Sequence, residues 1–437
     1  MKIIKNSNER FRLLIEAYER FVPNEFLRIL GKDDITNIVL GDQIEKNMTI
    51  LFSDIRGFTS ISEELTPQQN FNFINSYLSQ MEPVILAHNG IIDKYVGDSI
   101  MALFPSSSDE AVRCAIAIHA KLNKYNAVRE KAHYPPIRIG IGLNTGLLML
   151  GTIGGDKRME STVIGDAVNL ASRIEGMSKK YGAGLLISEY TFYDLKRPDK
   201  IAIRFLDRVK VKGKTQPQSV YEVFDIDPPE IVEGKKATLK IFEEALAHYH
   251  FKHVDTSKKM IEECLRINPL DSSAQFYLDR CNAFLQTGVH ESTGELLLSI
   301  EWTPEFEFGV TKIDEQHREL FEQCNKLMES ILKGKGLDEV NKTISFLDEY
   351  IITHFRDEEK LMKEYEYPFL HFQKWQHNKF SRHFEKFKKE ISIIDDSNRF
   401  FLLFRIRLLI VDWLVNHTFK FDKHLGRFIK RKRLGLA

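Results

Sequence analysis

Two short segments each deliver an aspartate where a strand runs out. In Phe52-Ser53-Asp54-Ile55-Arg56-Gly57-Phe58-Thr59, apolar residues carry Asp54 to a strand end, and a glycine turn leads into a helix whose first amides can cradle phosphate. In Lys94-Tyr95-Val96-Gly97-Asp98 a strand ends in Gly-Asp and another follows at once, a tight hairpin with Asp98 at its tip. Either motif alone reads more simply as turn residues, but together two strand-end carboxylates suit a pair of divalent ions and phosphoryl chemistry. A third segment, Thr162-Val163-Ile164-Gly165-Asp166-Ala167-Val168-Asn169-Leu170-Ala171-Ser172-Arg173, sets Asn169 and Arg173 four apart on one helix face. An amide and a guanidinium so placed can hold a sugar and a phosphoryl group in its transition state. Val211-Lys212-Gly213-Lys214 then ends a strand with a cation suited to a terminal phosphate.

A second constellation lies late in the chain. Of 14 histidines, seven (His317, His354, His371, His377, His383, His417 and His424) fall beyond residue 300, and imidazole is the commonest metal-ligating side chain. Four helical segments each offer one. They are Ile313-Asp314-Glu315-Gln316-His317, then His354-Phe355-Arg356-Asp357-Glu358 with its His and Glu at i, i+4, then His377, then Trp413 to His417 with Asp422. Imidazoles with two carboxylates can build a dinuclear site in a bundle core. The donor types suit iron without excluding zinc or manganese. Phe380, His383, Phe384 and Phe387 read as core and flank, and His424 follows Asp422 too closely to face the same pocket. His248, His250 and His253 sit close together but make only a weak metal motif, and they read as solvated helix-face residues.

The elements that must position these residues follow from length and pattern. The chain has 437 residues, enough for about three domains. It is 43% hydrophobic and 28% charged, a folded composition, and its 62 basic and 62 acidic side chains leave no net field to steer it to nucleic acid or a membrane. The four cysteines stand alone, which excludes a disulfide scaffold or a cysteine-ligated zinc site and suits a reducing, cytoplasmic setting. The stretch FFLLFRIRLLIVDWLV is broken by Arg405, Arg407 and Asp412 and reads as a buried helix rather than a membrane span. Residues 1–40 read as a helical stub and 41–227 as an α/β domain. Its strands are MTILFSDI, IIDKYV, IMALF, IRIGIGLNT, GLLIS and VYEVF, and its helices span 67–87 and 108–130. Residues 228–298 read as a helix pair with the Ala/Tyr spacing and INPLD of a tetratricopeptide-like unit. Four long helical segments, 312–333, 337–365, 369–393 and 398–425, predict an up-down four-helix bundle over 299–430, and 431–437 form a basic tail.

Taken in order, the four N-terminal motifs resemble the class III nucleotide cyclase catalytic domain over about 180 residues. The resemblance implies a ferredoxin-like α/β fold, cyclisation of a nucleoside triphosphate with release of pyrophosphate, and a homodimer whose sites are shared across the interface. Matched by position, Asp54, Ile55 and Asp98 would hold two Mg²⁺ or Mn²⁺ ions, with Gly57, Phe58 and Thr59 along the phosphates. Asn169 would orient the sugar, Arg173 would stabilise the pentavalent phosphorus and Lys212 would grip the triphosphate. Lys94 and Thr162 fall where the family reads the base. Lys there with Asp or Thr goes with adenine, since an ammonium donates to a ring-nitrogen acceptor, so ATP is the expected substrate and GTP the alternative.

The histidine set resembles bacterial hemerythrin over about 125 residues, including Glu301-Trp302 and the HFRDEEKLM and Tyr367-Pro368 landmarks. The resemblance implies non-haem di-iron that binds O₂. His317 and His354 would sit on one iron, His377 and His417 on the other, with Glu358 and Asp422 bridging. This chain departs from the pattern at one place: four residues before His377, where the family has a fifth His, it has Gln373. His371 lies about 160° round the helix from that position and is no substitute. The whole chain is thus expected to be a cytoplasmic adenylate cyclase governed by O₂ or redox state. The alternatives are a guanylate cyclase with the same sensor and an iron- or O₂-binding protein with an inactive cyclase fold.

Overall fold

The structure, a computed structural model, describes residues 9, 13, 24–155, 158–209, 217–289, 299–333, 337–391 and 399–435. By internal contacts it forms two compact units, Met1–Leu239 with Ile261–Arg280, and Lys240–Met260 with Cys281–Ala437.

In the first unit a mixed sheet carries β1 (Gln43–Ile55), β2 (Ile91–Val96), β3 (Ser99–Phe104), β4 (Ile139–Gly155), β5 (Arg158–Ile164), β6 (Leu185–Ser188), β7 (Ile203–Val209) and β8 (Gln218–Val223). The strand order is β2-β3-β1-β4-β6-β8-β7, with β5 paired to β4. Only the β4–β6 ladder among those described is parallel. The first helices are α1 (Asn24–Ile29), α2 (Phe58–Glu63), α3 (Pro67–Ala87), α4 (Ser108–Lys131), α5 (Asp166–Tyr181) and α6 (Glu189–Asp194). Helix α3 starts where Thr66 and Gln69 cap each other's backbone amides with Pro67 at the first position, which is why its start was legible. Helix α5 lies close on β4 because Gly140 and Gly142 face it. A Cβ on Gly142 would overlap the backbone of Glu175, and one on Gly140 would strike the side chains of Arg56 and Ser178. Met48, Ile50, Leu103, Leu148, Leu150 and Ala171 form the core between sheet and helix.

One strand, β5, escaped the sequence reading, and of β7 only an end near Val211 was read. β5 is polar and exposed along its first half. β7 contains Arg204, Asp207 and Arg208, charges that argue against a buried strand, yet every β7 residue after Ile203 is buried. The charges are met internally. Arg204 places its two terminal nitrogens on the Asp271 carboxylate at 2.7 Å each and its Nε on Glu222 at 2.6 Å. Lys235 bridges Glu222 and Asp227 at 2.7 and 2.6 Å, and Asp207 accepts from Arg280 and Tyr181. The middle of the chain is three helices rather than a pair: α7 (Pro229–His250), α8 (Val254–Ile267) and α9 (Ser272–Thr287). The Asn268-Pro269-Leu270-Asp271 break separates the last two, since proline cannot continue a helix.

In the second unit α10 (Thr311–Leu332), α11 (Leu337–Glu364) and α12 (Leu370–Ile391) match three of the four expected bundle helices. The fourth is interrupted. α13 (Arg399–Ile406) runs into a π turn at Arg407–Val411, then α14 (Asp412–His417), a second π turn at Thr418–Asp422, and α15 (Lys423–Arg433). Phe380, Phe384 and Phe387 are buried as expected. Among the described residues no helix is long and apolar enough to cross a membrane.

Removing one partner of a fully buried charge network leaves its counterion unmet. Asp271→Ala is therefore expected to lower the stability of the first unit by about 3–5 kcal/mol, read as an earlier transition in urea unfolding followed by far-ultraviolet circular dichroism. Fluorescence from Trp302, Trp375 and Trp413, all in the second unit, serves as the internal control.

Candidate active site and metal centre

Strand β1 ends on Asp54 and Ile55, held between β3 and β4 by the pairs Ser53↔Ile100 and Asp54↔Gly140. The β2–β3 hairpin turns through Gly97 at φ 65°, a left-handed conformation that favours glycine. It brings Asp98 to β1, where its Oδ2 accepts from the Ile55 amide at 3.1 Å. Ser99 donates to Asp54 Oδ2 at 2.5 Å. The two carboxylates therefore sit side by side. Burial and the neighbouring Asp54 charge both push the Asp98 carboxyl above its ordinary range, the electrostatic mark of a place that favours a cation. Gly57, at φ 69°, opens the short helix α2, so Phe58 and Thr59 follow directly on the Asp54 strand end.

Across the hairpin, Lys94 of β2 donates to Thr162 of β5 at 3.0 Å, which joins the two residues expected to read the base. Asn169 and Arg173 lie one turn apart on α5, exposed and half-buried respectively. Among the described residues neither has a hydrogen-bond or ion-pair partner within the chain, so both are available to a ligand. Lys212 lies outside the described residues. Behind the Asp54 strand end, Arg56 bonds Ser178 and pairs with Glu175 at 3.7 Å. Burial, then the Asp54 charge, lifts the Glu175 carboxyl to about 7. Ser99, Arg56 and Glu175 were not singled out from sequence. Ser99 directly follows Asp98 and Arg56 lies within the quoted Asp54 motif, and those adjacencies were the available signals.

The second centre lies among the bundle helices. His317 from α10, His354 and Glu358 from α11, His377 from α12, His417 from α14 and Asp422 at the second π turn are all at most 3% exposed. Glu358 faces His317 and His354 through Oε1, at 3.7 and 3.6 Å, and His377 through Oε2 at 3.3 Å. Asp422 faces His317 through Oδ2 at 3.4 Å and His417 through Oδ1 at 3.2 Å. Each carboxylate thus spans two imidazole groups, the arrangement two neighbouring metal ions require. The donors fall into two overlapping sets, His317, His354, Glu358 and Asp422, and Glu358, His377 and His417. Among the described residues neither carboxylate has a hydrogen-bond donor, although burying such charge unpaired is costly. His377 and His417 turn their Nε2 atoms toward each other at 3.1 Å, an approach that a shared cation or proton would reconcile.

Surrounding groups fix which nitrogen faces inward. His354 Nδ1 meets Gln316 at 3.1 Å, which in turn donates to Asp357, and His377 Nδ1 meets Glu359 at 3.3 Å. Phe355 stacks on the His377 ring at 3.9 Å, and Trp413 stacks on His417 at 4.4 Å. Burial opposes charge on His317, yet Asp422 and Glu358 hold it up at about 9, whereas burial drives His354 down to about 4. The second π turn is what unites His417 with Asp422. Five residues apart on a regular α-helix, they would diverge by about 140°, and the i→i+5 turn returns Asp422 to the same face.

Gln373 is 1% exposed, and among the described residues neither of its amide atoms has a hydrogen-bond partner. It lies one turn before His377, while His371 is exposed. The His377–His417 donor set is thus one imidazole shorter than the family pattern, and a buried neutral amide stands at that position. His424 is engaged elsewhere, with the Tyr367 hydroxyl at 2.7 Å.

The family description "Adenylate and Guanylate cyclase catalytic domain" matches residues 41–224. "Hemerythrin HHE cation binding domain" matches residues 309–429. An adenylate cyclase of Anabaena cylindrica is 44% identical over 223 residues, covering 50% of this chain and 44% of that protein. The terminal-differentiation specific adenylate cyclase of Dictyostelium discoideum is 34% identical over 289 residues, 65% of this chain and 14% of that protein. The chain therefore spans less than half the length of these two relatives. Among solved structures, the adenylyl cyclase CyaB from P. aeruginosa is 36% identical over 42% of this chain and 96% of that one, with a TM-score of 0.38. On its motifs and the two family matches, the chain carries a class III nucleotide cyclase catalytic domain over residues 41–224 and a hemerythrin domain over residues 309–429.

Proposed function

We propose that this chain converts ATP to cyclic AMP and pyrophosphate, and that O₂ or redox state at a di-iron centre in the bundle sets the rate. The observation that carries the first part is the Lys94–Thr162 hydrogen bond beside the paired carboxylates Asp54 and Asp98. In this reading Asp54, Ile55 and Asp98 hold two divalent ions, Mg²⁺ or Mn²⁺. Bound there, the ions supply Lewis-acid polarisation of the ribose 3′-hydroxyl and of the phosphates. The protein's own residues do the rest. Lys94 donates to the purine ring nitrogen with Thr162 beside it, Asn169 holds the sugar, Arg173 spreads the charge of the crowded phosphorus, and Lys212 neutralises the leaving pyrophosphate. The 3′-hydroxyl gives its proton to solvent, its oxygen bonds to the α-phosphorus, and the bond from that phosphorus to the β-phosphate oxygen breaks to release pyrophosphate. Asn169 and Arg173 lack partners among the described residues of their own chain, which supports a homodimer in which they complete the neighbouring subunit's site.

In the bundle His317 and His354 would hold one iron, His377 and His417 the other, and Glu358 and Asp422 would bridge them. Gln373 would stand where a fifth imidazole is expected. Such a centre would supply reversible O₂ binding or a change of redox state. The three middle helices are the covalent route from bundle to sheet, and Lys235 and Asp271 tie them into the buried Arg204 network.

Three outcomes test this reading. Mixing Asp54→Ala with Arg173→Ala chains, each inactive alone, is expected to restore up to about a quarter of wild-type cyclic AMP formation, since one of two sites in half of the dimers is whole. No recovery from proven heterodimers counts against shared sites. Anaerobic reconstitution is expected to yield about two irons per chain, and Glu358→Ala should lose most of them by metal analysis. Cyclase rates measured on deoxy-diferrous, O₂-exposed and diferric samples, with optical spectra on the same material, are expected to differ; equal rates in all three sink the sensor.

A further inference from the structure

Asp93 sits in β2 immediately before Lys94, and the β2–β3 ladder breaks its register there: Ile92 pairs with Ala102 and Lys94 with Met101, leaving Asp93 as the extra residue of a bulge. In a regular strand adjacent side chains point to opposite faces, whereas a bulge re-aims them. Here the Asp93 carboxylate and the Lys94 ammonium meet at 3.4 Å. The Asp93 side chain is 1% exposed, and among the described residues neither of its oxygens has a hydrogen-bond partner. A buried carboxylate so poorly satisfied is costly unless a cation stays beside it. Burial raises the Asp93 carboxyl, and the Lys94 charge opposes that rise.

Lys94 has three N–H donors. One goes to Thr162 at 3.0 Å, and two carboxylates compete for the others, Asp93 at 3.4 Å and Glu160 at 3.6 Å. The distances are alike, but the surroundings are not. Glu160 is 56% exposed, so water screens its pull, whereas that of Asp93 acts from inside the protein. Asp93 therefore governs where the ammonium rests, and the donor directed at Glu160 is the one a ligand can take over.

Resting on the ATP reading above, we propose that Asp93 is a positioning residue for purine selection: from its bulge it holds the Lys94 ammonium against Thr162, leaving one N–H free for a ring-nitrogen acceptor of the base. Adenine presents that acceptor where guanine presents a donor, and a site built around one hydrogen-bond polarity rejects the other. Asp93 itself need not touch the nucleotide.

The test is steady-state kinetics of the 437-residue chain with Mn²⁺-ATP and Mn²⁺-GTP. Asp93→Asn keeps the shape and removes the charge. It is expected to raise the KM for ATP about tenfold with kcat within about threefold, and to lower the ATP-to-GTP ratio of kcat/KM about tenfold. In a Lys94→Met background the same change should add less than about twofold, because its effect passes through the lysine. Glu160→Gln should leave the ratio near wild type. An unchanged ATP KM and ratio in Asp93→Asn overturns the proposal, as does full additivity with Lys94→Met. So does a lowered melting temperature with ATP and GTP turnover reduced alike in both Asp93→Asn and Asp93→Ser, since that marks a purely structural role. A wild type that prefers GTP defeats the ATP reading instead, and additivity with Lys94→Met still decides whether Asp93 acts through the lysine.

Discussion

Arg204 has no exposed side-chain surface, and its charge is sustained by Asp271 and Glu222 lying on it within 2.7 Å. The edge of the sheet and the helices that follow it depend on that arrangement. Asp271 comes from the turn before α9, Glu222 from β8, and Lys235 joins from α7. None of these charges would be tolerable alone, and the desolvation each suffers is offset only when all are in place. β7 can be a buried strand only in the presence of the helices that neutralise it. The network therefore holds the helical segments that belong to the first unit, around Lys235 and Asp271, onto its sheet.

The same constraint takes a different form in the bundle. Glu358 and Asp422 are wholly buried and face imidazoles on both sides at distances longer than good hydrogen bonds. A core designed for stability alone would hold leucines there. Two overlapping donor sets, ring nitrogens oriented by Gln316 and Glu359, and aromatic faces stacked on two of the imidazoles make sense as a centre prepared for metal ions. In the sheet domain the compensation is left incomplete where substrate would enter. Asp54 and Asp98 lie together, and burial and the adjacent charge hold the Asp98 carboxyl up. The buried Asp93 carboxylate lies 3.4 Å from the Lys94 ammonium.

Much of this was legible from residue order. Thr66, Pro67 and Gln69 announce a helix start, and α3 begins where they place it. The strands of alternating or continuous apolar residues around Asp54 and Asp98 run as read. A strand was read ending near Val211, but the body and burial of β7 were not legible, because a strand carrying Arg204, Asp207 and Arg208 looks solvated until its distant partners are known. The middle region was read as a helix pair, whereas it holds three helices separated at 251–253 and at 268–271.

The sequence alone determined the donor inventory: two strand-end aspartates, an Asn and Arg four apart, a lysine with its threonine, four imidazoles with two carboxylates, and a glutamine where a fifth imidazole is expected. Residue type and local spacing suffice for that, because hairpins and helix faces are short-range features. Tertiary structure alone decided how those groups are aimed. The π turn that brings Asp422 round to His417 and the bulge that turns Asp93 onto Lys94 are one-residue irregularities within a helix and a hairpin, and the glycines that let α5 settle on β4 act between segments far apart in the chain. A difference of one residue in a turn rotates a side chain by about 100°, and no local pattern of residue types reveals where such a residue will be absorbed.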